Sequence, residues 1–304
     1  MSFIKVVIFL IIIGGIAMYF LSHQAEFFQF SPQEKITDSV KEYTAPSLQP
    51  ASSPSTYSPS DSTTISSPSY EIPDYLIPSN YTRDQLSPYF QKINISSVTA
   101  SSFYSIYPTQ LRIYSNLSKD EKVNITGWKI KSNKGEFNIP QAVNVYEPSG
   151  LITPSDIIIS GNSSILILEG KSPIKKSFRL NKCIGYLANT YDFNPSLPQN
   201  CPSISRSEIV HLSGQCQSYI NSLWGCKVPE ISFYNSLPGT DEGNACRAFL
   251  STINHGSCFQ KYHLDSDFLL NEWRLWVDRI KLDSQHDRLL IFDEKGLLVD
   301  EYIY

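Results

Sequence analysis

All the thiols of this chain are Cys183, Cys201, Cys216, Cys226, Cys246 and Cys258, gathered in one stretch with none elsewhere. An even, clustered set of this kind reads as a disulfide framework made in an oxidising compartment. A structural zinc site would need closely paired ligands such as C-x-x-C, and no such pair occurs. Free thiols are the remaining alternative. The spacing leaves the pairing of the six open.

An oxidising compartment requires export, and the amino terminus carries a segment able to direct it. Val6–Leu21, VVIFLIIIGGIAMYFL, is an uninterrupted apolar run. With its neighbours it approaches the ~20 residues that span a bilayer. Lys5 stands on one side, and His23, Glu26 and Glu34 follow on the other before any lysine. This asymmetry places residues 1–5 in the cytoplasm, an anchor at 6–22 in the membrane and the body outside. Gly15-Ile16-Ala17 offers a rival reading as a signal-peptidase site, but Met18-Tyr19-Phe20-Leu21 continues the apolar run beyond it. An uncleaved signal-anchor is the expectation.

Residues 23–87 read as a juxtamembrane spacer and stalk. Ser31-Pro32-Gln33-Glu34 has capping-box spacing, so a short helix through Tyr43 is predicted. Pro46–Ser69 is mostly Ser, Thr and Pro, with Asp61 its only charge. Such a segment buries too little apolar surface to offset its ordering entropy and is expected to be disordered. N-x-[ST] sequons occur at Asn80, Asn94, Asn116, Asn124 and Asn162.

The body alternates as strands do over Leu111–Ser115, Val123–Lys131, Glu136–Pro140, Asp156–Ser160, Ile165–Glu169 and Phe178–Leu180. The cysteine-rich part changes period. Cys216, Tyr219, Ile220 and Leu223 share a helical face, with Gly225 as the stop. Ala245, Phe249, Leu250 and Ile253 repeat the pattern, with Gly256 as the stop. A third helix is expected from Asp265, carrying Phe268, Leu269, Trp273 and Trp276. Alternation returns in Arg288–Phe292 and Leu297–Tyr304, joined by Asp293-Glu294-Lys295-Gly296 as a hairpin.

Val123–Pro140, VNITGWKIKSNKGEFNIP, resembles the lamin tail domain, an immunoglobulin-like sandwich. The end, LLIFDEKGLLVDEY, resembles that family's final hairpin. GKSPIKKSFRLNKCIGYL, Asn200-Cys201-Pro202 and HLDSDFLLNEWRLW resemble a group of membrane-anchored bacterial proteins in which the same domain carries a Cys-rich insertion. The resemblance covers roughly Ser97–Tyr304. It implies a lamin-tail-like sandwich from 88–182 and 280–304, with a helical, disulfide-bearing insertion at 183–279. The chain has no long heptad repeat and ends in Glu-Tyr-Ile-Tyr rather than a prenylation box, so the fold is carried over and a nuclear role is not.

Chemistry is harder to find. No G-x-S-x-G, P-loop, dinucleotide-binding or H-E-x-x-H motif is present. His263, Asp265 and Asp267 alternate, which could set an imidazole and two carboxylates on one side of an extended segment as a metal site. The bland reading has Asp265 capping the next helix and the other two solvated. His211 and His255 stand alone and read as structural. Trp224, Trp273 and Trp276 could form a sugar-stacking platform, although Trp273 and Trp276 would share a helical core face. Trp128 reads as core. Charged residues are 18% of the chain with no basic run, so nucleic acid is not an expected partner. The expected function is that of a membrane-anchored, extracytoplasmic, non-catalytic module without cofactor, binding a protein or a glycan such as a cell-wall polymer. The alternative is an exported hydrolase with an unrecognised carboxylate or metal site.

Overall fold

A computed structural model describes residues 72–101 and 108–304. The expected anchor, the helix from Ser31 and the stalk through Ser69 lie outside the described residues. No helix among the described residues is long and apolar enough to cross a membrane.

The described part is mainly β with few helices. Its strands in chain order are β1 (Ile93–Thr99), β2 (Gln110–Ser115), β3 (Val123–Asn124), β4 (Lys129–Lys131), β5 (Glu136–Asn138), β6 (Ile158–Ile159), β7 (Ser164–Glu169), β8 (Phe178–Asn181), β9 (Leu269–Val277), β10 (Arg288–Phe292) and β11 (Leu298–Ile303). They form a five-stranded sheet ordered β1-β2-β7-β9-β8, a four-stranded sheet ordered β11-β10-β4-β5, and a small β3-β6 ladder. Pairing is antiparallel except between β7 and β9. Both larger sheets contribute to one core: Leu111 and Ile113 from β2, Ile165 and Ile167 from β7, Ile130 from β4 and Ile291 from β10. Trp128 is buried in that core, its ring centroid 5.8 Å from that of Tyr89. The alternation of β2 follows from its place, with Leu111, Ile113 and Ser115 turned inward. β7 instead buries four consecutive residues, because both its faces are covered.

The predicted third helix is corrected. Leu269–Val277 is β9, paired parallel with β7 and antiparallel with β8. Trp273 and Trp276 therefore do not share a face. Residues three apart on a strand point to opposite sides. Trp273 enters the core between the sheets, and Trp276 packs on the outer side, 5.5 Å from Phe178 and 6.3 Å from Phe193. The sequence suits both periods, and the two neighbouring strands decide between them. The boundary at 279 moves accordingly: the chain leaves the sheet after Asn181 and returns at Leu269, with the Lys182 N–H on the Phe268 carbonyl at 3.0 Å.

The other boundary moves too. Residues 72–87, expected in the spacer and stalk, are folded on the body. Leu86 bridges to Leu298, the Ser87 N–H donates to the Leu298 carbonyl at 2.8 Å, and Leu86 and Phe90 pack on Leu290 and Leu298. Strand β1 was not among the expected strands. Its Ser- and Thr-rich outer positions hide the buried pair Ile93 and Ile95.

Buried carboxylates fix the terminal hairpin. Asp287 is fully buried. Its Oδ1 accepts from the N–H of Asn133 at 2.9 Å and of Arg288 at 2.8 Å, and its Oδ2 from that of Asp283 at 2.7 Å. One side chain thus joins the β4-β5 turn, the approach to β10 and β10 itself. Asp287→Ala leaves three N–H groups without acceptors and is expected to lose roughly 3–5 kcal/mol in urea unfolding. A loss below about 1 kcal/mol would remove this role.

Asp300, on β11, accepts the Ile95 N–H at 2.7 Å beside the irregularity in β1. Burial pushes its carboxyl up to about 6, against the opposing pull of the Ile95 and Glu301 N–H groups. The folded state therefore holds a proton that the unfolded chain releases near the ordinary aspartate value of 3.8. Stability from this group falls as pH rises from about 4 to about 6. Thermal melts of the wild type and Asp300→Asn should converge towards pH 4, and the wild type should be the less stable at pH 7. Parallel pH profiles would contradict the assignment.

Candidate functional site

The segment between β8 and β9 holds five short helices: α1 (Arg206–Ile209), α2 (Gly214–Ser222), α3 (Ile231–Ser236), α4 (Asp241–Leu250) and α5 (His255–Tyr262). Local chemistry starts them. Ser205 and Glu208 form a capping box on α1, Ser213 accepts from the Cys216 N–H, Thr240 from the Gly243 N–H at 3.3 Å, and Asn254 from the Ser257 N–H at 3.0 Å. Gly256 lies inside α5 and does not terminate α4; the Asn254 cap overrides it.

Helices this short need external support. Three disulfides supply it: Cys183–Cys258, Cys201–Cys226 and Cys216–Cys246. Cys216, Cys246, Leu250, Ile209 and Phe268 form a small core of their own. Packing there is tight. A Cβ on Gly185 would lie 2.3 Å from the Cys226 Sγ and 2.3 Å from the Pro198 carbonyl oxygen, so only glycine fits.

Two clefts adjoin on this module, sharing Tyr186, Pro202, Ile204 and Ile253 in their walls. The first has a volume of about 130 Å³ and is lined by Phe249, Tyr262, Lys261 and Glu208. Lys261 pairs with Glu208 and also lies 5.2 Å from the Tyr262 ring centroid. That pairing, with help from Ser205, holds the Glu208 carboxyl down to about 2. The second cleft, about 220 Å³, is lined by Asn221, Leu223, Trp224, Lys227 and Ser203. Trp224 is 63% exposed, and the Lys227 Nζ stands 5.5 Å from its ring centroid. The turn carrying it is fixed by the Cys201–Cys226 bridge and by the Asn189 Nδ2, which donates to the Cys226 carbonyl at 2.7 Å.

The singled-out residues separate. Asp265 and Asp267 converge on the Lys182 Nζ, the first at 3.1 Å. His263 turns away: it is the C-cap of α5, its Nδ1 lies 3.0 Å from the Phe259 carbonyl oxygen, and its ring stacks on Phe259 with centroids 4.9 Å apart. The three therefore do not form the imidazole-and-carboxylate cluster considered for them. No group of three His, Cys, Asp or Glu among the described residues could hold a metal ion. No helix follows Asp265 to be capped; its carbonyl instead closes a turn with the Phe268 N–H at 3.0 Å. Of the three tryptophans considered as a platform, Trp224 alone stands clear of the packing, which its place just after α2 did not reveal. Comparison with known families, curated proteins and solved structures finds no match to this chain.

His255 lies at the start of α5, 5.8 Å from the Tyr146 ring, with its Nε2 buried and unpartnered. Desolvation pushes the imidazole down to about 4, so it is neutral at pH 7. The unfolded chain takes up a proton near 6.5. Stability from this group is present above pH 6.5 and is lost as pH falls through about 4. His255→Phe should be less sensitive than the wild type to acidification from pH 6.5 to 4, read from paired melts. Equal slopes would show that His255 is solvated.

Proposed function

We propose that the chain is a single-pass membrane protein, amino terminus in the cytoplasm, whose extracytoplasmic body is a non-catalytic binding module. The observation that carries this is Trp224, a large aromatic held exposed on a disulfide-fixed turn at the mouth of a cleft. Natural surfaces place few tryptophans this way, and they are favoured as recognition anchors. The three bridges support an oxidising location outside the cytoplasm. The apolar run Val6–Leu21 supports the anchor. Two sheets sharing one core, with Trp128 beside the β4-β5 hairpin, support the immunoglobulin-like, lamin-tail-like reading. The parallel β7-β9 pair is a departure from an all-antiparallel sandwich.

The hydrolase alternative gains nothing from these two clefts. Among the described residues Glu208 is the only carboxylate lining either of them, and it is paired with Lys261. The preferred ligand is a glycan, because an indole face with a flanking ammonium and the amide of Asn221 suits a sugar ring and its hydroxyls. The test presents the full-length protein and its Trp224→Ala variant to immobilised cell-wall polysaccharides. The wild type should bind, and the variant should bind about ten-fold more weakly with an unchanged melting temperature. Undiminished binding by the variant, or turnover of a bound polymer, would refute the reading.

A further inference from the structure

A third cleft, of about 380 Å³, shares no wall residue with the two described. It lies between the β7-β8 connection and the end of β9. That connection is pinned to β9 at both ends: the Gly170 N–H donates to the Val277 carbonyl at 2.8 Å, and the Ser177 Oγ accepts the Trp276 N–H at 3.0 Å. Between them the Lys175 N–H closes a turn on the Ser172 carbonyl at 2.8 Å, with Lys175 at φ 58°.

The wall composition is unbalanced. Lys171, Lys175 and Lys176 line the cleft against one carboxylate, Asp278. Lys176 donates to the Ile152 carbonyl. The ammonium groups of Lys171 and Lys175 have no hydrogen-bond or ion-pair partner among the described residues. Ser172 is 6% exposed, yet its buried Oγ has no partner. A buried hydroxyl without a partner is unusual and costly. Trp276, packed on Phe178, supplies an aromatic wall.

We propose that this cleft binds the oxyanion ester of a charged sugar. The phosphate or sulfate oxygens meet Lys171, Lys175 and the Ser172 hydroxyl, and the sugar ring lies on Trp276. Lysines act as point charges towards such an oxyanion, and an indole face takes the apolar side of a pyranose. The cleft is one compact recess rather than a basic stripe, which argues for a single ester group over a nucleic-acid backbone.

This inference stands apart from the Trp224 cleft, and its experiment keeps the two distinguishable. Calorimetric titrations of the full-length protein use glucose 6-phosphate, glucose 6-sulfate, glucose and inorganic phosphate. Binding of either ester supports the proposal and identifies which is preferred. Glucose should not bind, and inorganic phosphate should bind at least about five-fold more weakly than the ester, because it lacks the ring. The double variant Lys171→Gln/Lys175→Gln should lose about ten-fold in affinity for the ester at an unchanged melting temperature, since both lysines are exposed. Trp224→Ala should leave this binding intact. Failure of both esters to bind, equal affinity of the double variant, or inorganic phosphate binding as tightly as the esters would overturn it.

Discussion

Strand β9 lies between β7 and β8, and the remainder of the body depends on its arrival there. It pairs with β7 in parallel from Ser164–Glu272 to Glu169–Val277, and with β8 from Phe178–Arg274 to Asn181–Leu269. Parallel neighbours cannot be joined by a tight turn. Here the connection runs out through β8, through the whole disulfide module, and back. Until residues 269–277 return, β7 lacks a partner on one side and the core lacks Trp273 and Leu275. The Cys183–Cys258 bridge bears on this step. It ties the chain just after β8 to α5, which ends shortly before β9 begins. Closing that loop covalently removes much of the entropy cost of bringing β8 and β9 together.

The same strand docks the module. Its outer side presents Trp276 and Arg274. Trp276 meets Phe178 and Phe193, while Arg274, 5% exposed, donates to the carbonyls of Pro195 at 2.6 Å and Ser196 at 2.9 Å. Desolvation lowers the affinity of this guanidinium for its proton, with Glu272 partly opposing. Arginine nevertheless keeps its charge, and the two backbone carbonyls take directional bonds from its Nη atoms, while its buried Nε has no hydrogen-bond partner among the described residues. The aromatic contacts bring the apolar surfaces together, and the two arginine bonds restrict the orientation. This accounts for a buried cation in what is otherwise an aromatic cluster.

How far the sequence could be read follows from what each residue's neighbours decide. β2 declares itself, because one of its faces is buried and alternation records it, while the β10-β11 hairpin shows as two apolar runs about the turn at Asp293–Gly296. Of the module's helices, α2 and α4 are legible through their apolar spacing and α1, α3 and α5 are not; Gly256 misleads, because it lies inside α5, which Asn254 caps. β9 is not legible. Its residues fit a helical stripe as well as a doubly buried strand, and the choice rests on partners remote in sequence. The site divides in the same way. Clustered cysteines announce disulfides, but their pairing is a property of the folded chain. His263, Asp265 and Asp267 alternate as metal ligands could, yet Lys182, far away in sequence, takes both carboxylates. The exposure of Trp224 depends on the turn after α2 being held away from the core by a bridge to Cys201. No local pattern records that.

That bridge also bears on how the proposed binding surface is built on a small module. Exposed loops ordinarily belong to the least stable parts of a protein, and ordering them opposes binding. The turn around Trp224 avoids this cost. Cys226 is tied to Cys201, Gly225 takes a left-handed φ of 63°, and Asn189 bonds both the Cys226 carbonyl and the Val228 N–H. The indole is therefore placed before any ligand arrives. The core between the two sheets contains no cysteine, so its apolar packing does not depend directly on the bridges. The bridges instead support the small core of the module, where Cys183, Cys216, Cys226, Cys246 and Cys258 are themselves buried. Loss of Cys201–Cys226 would thus act first on the turn that presents Trp224, while loss of Cys183–Cys258 would bear on the return of β9 to the sheet. The turn that presents Trp224, proposed above as a binding surface, therefore depends on its bridge more directly than the core between the sheets does.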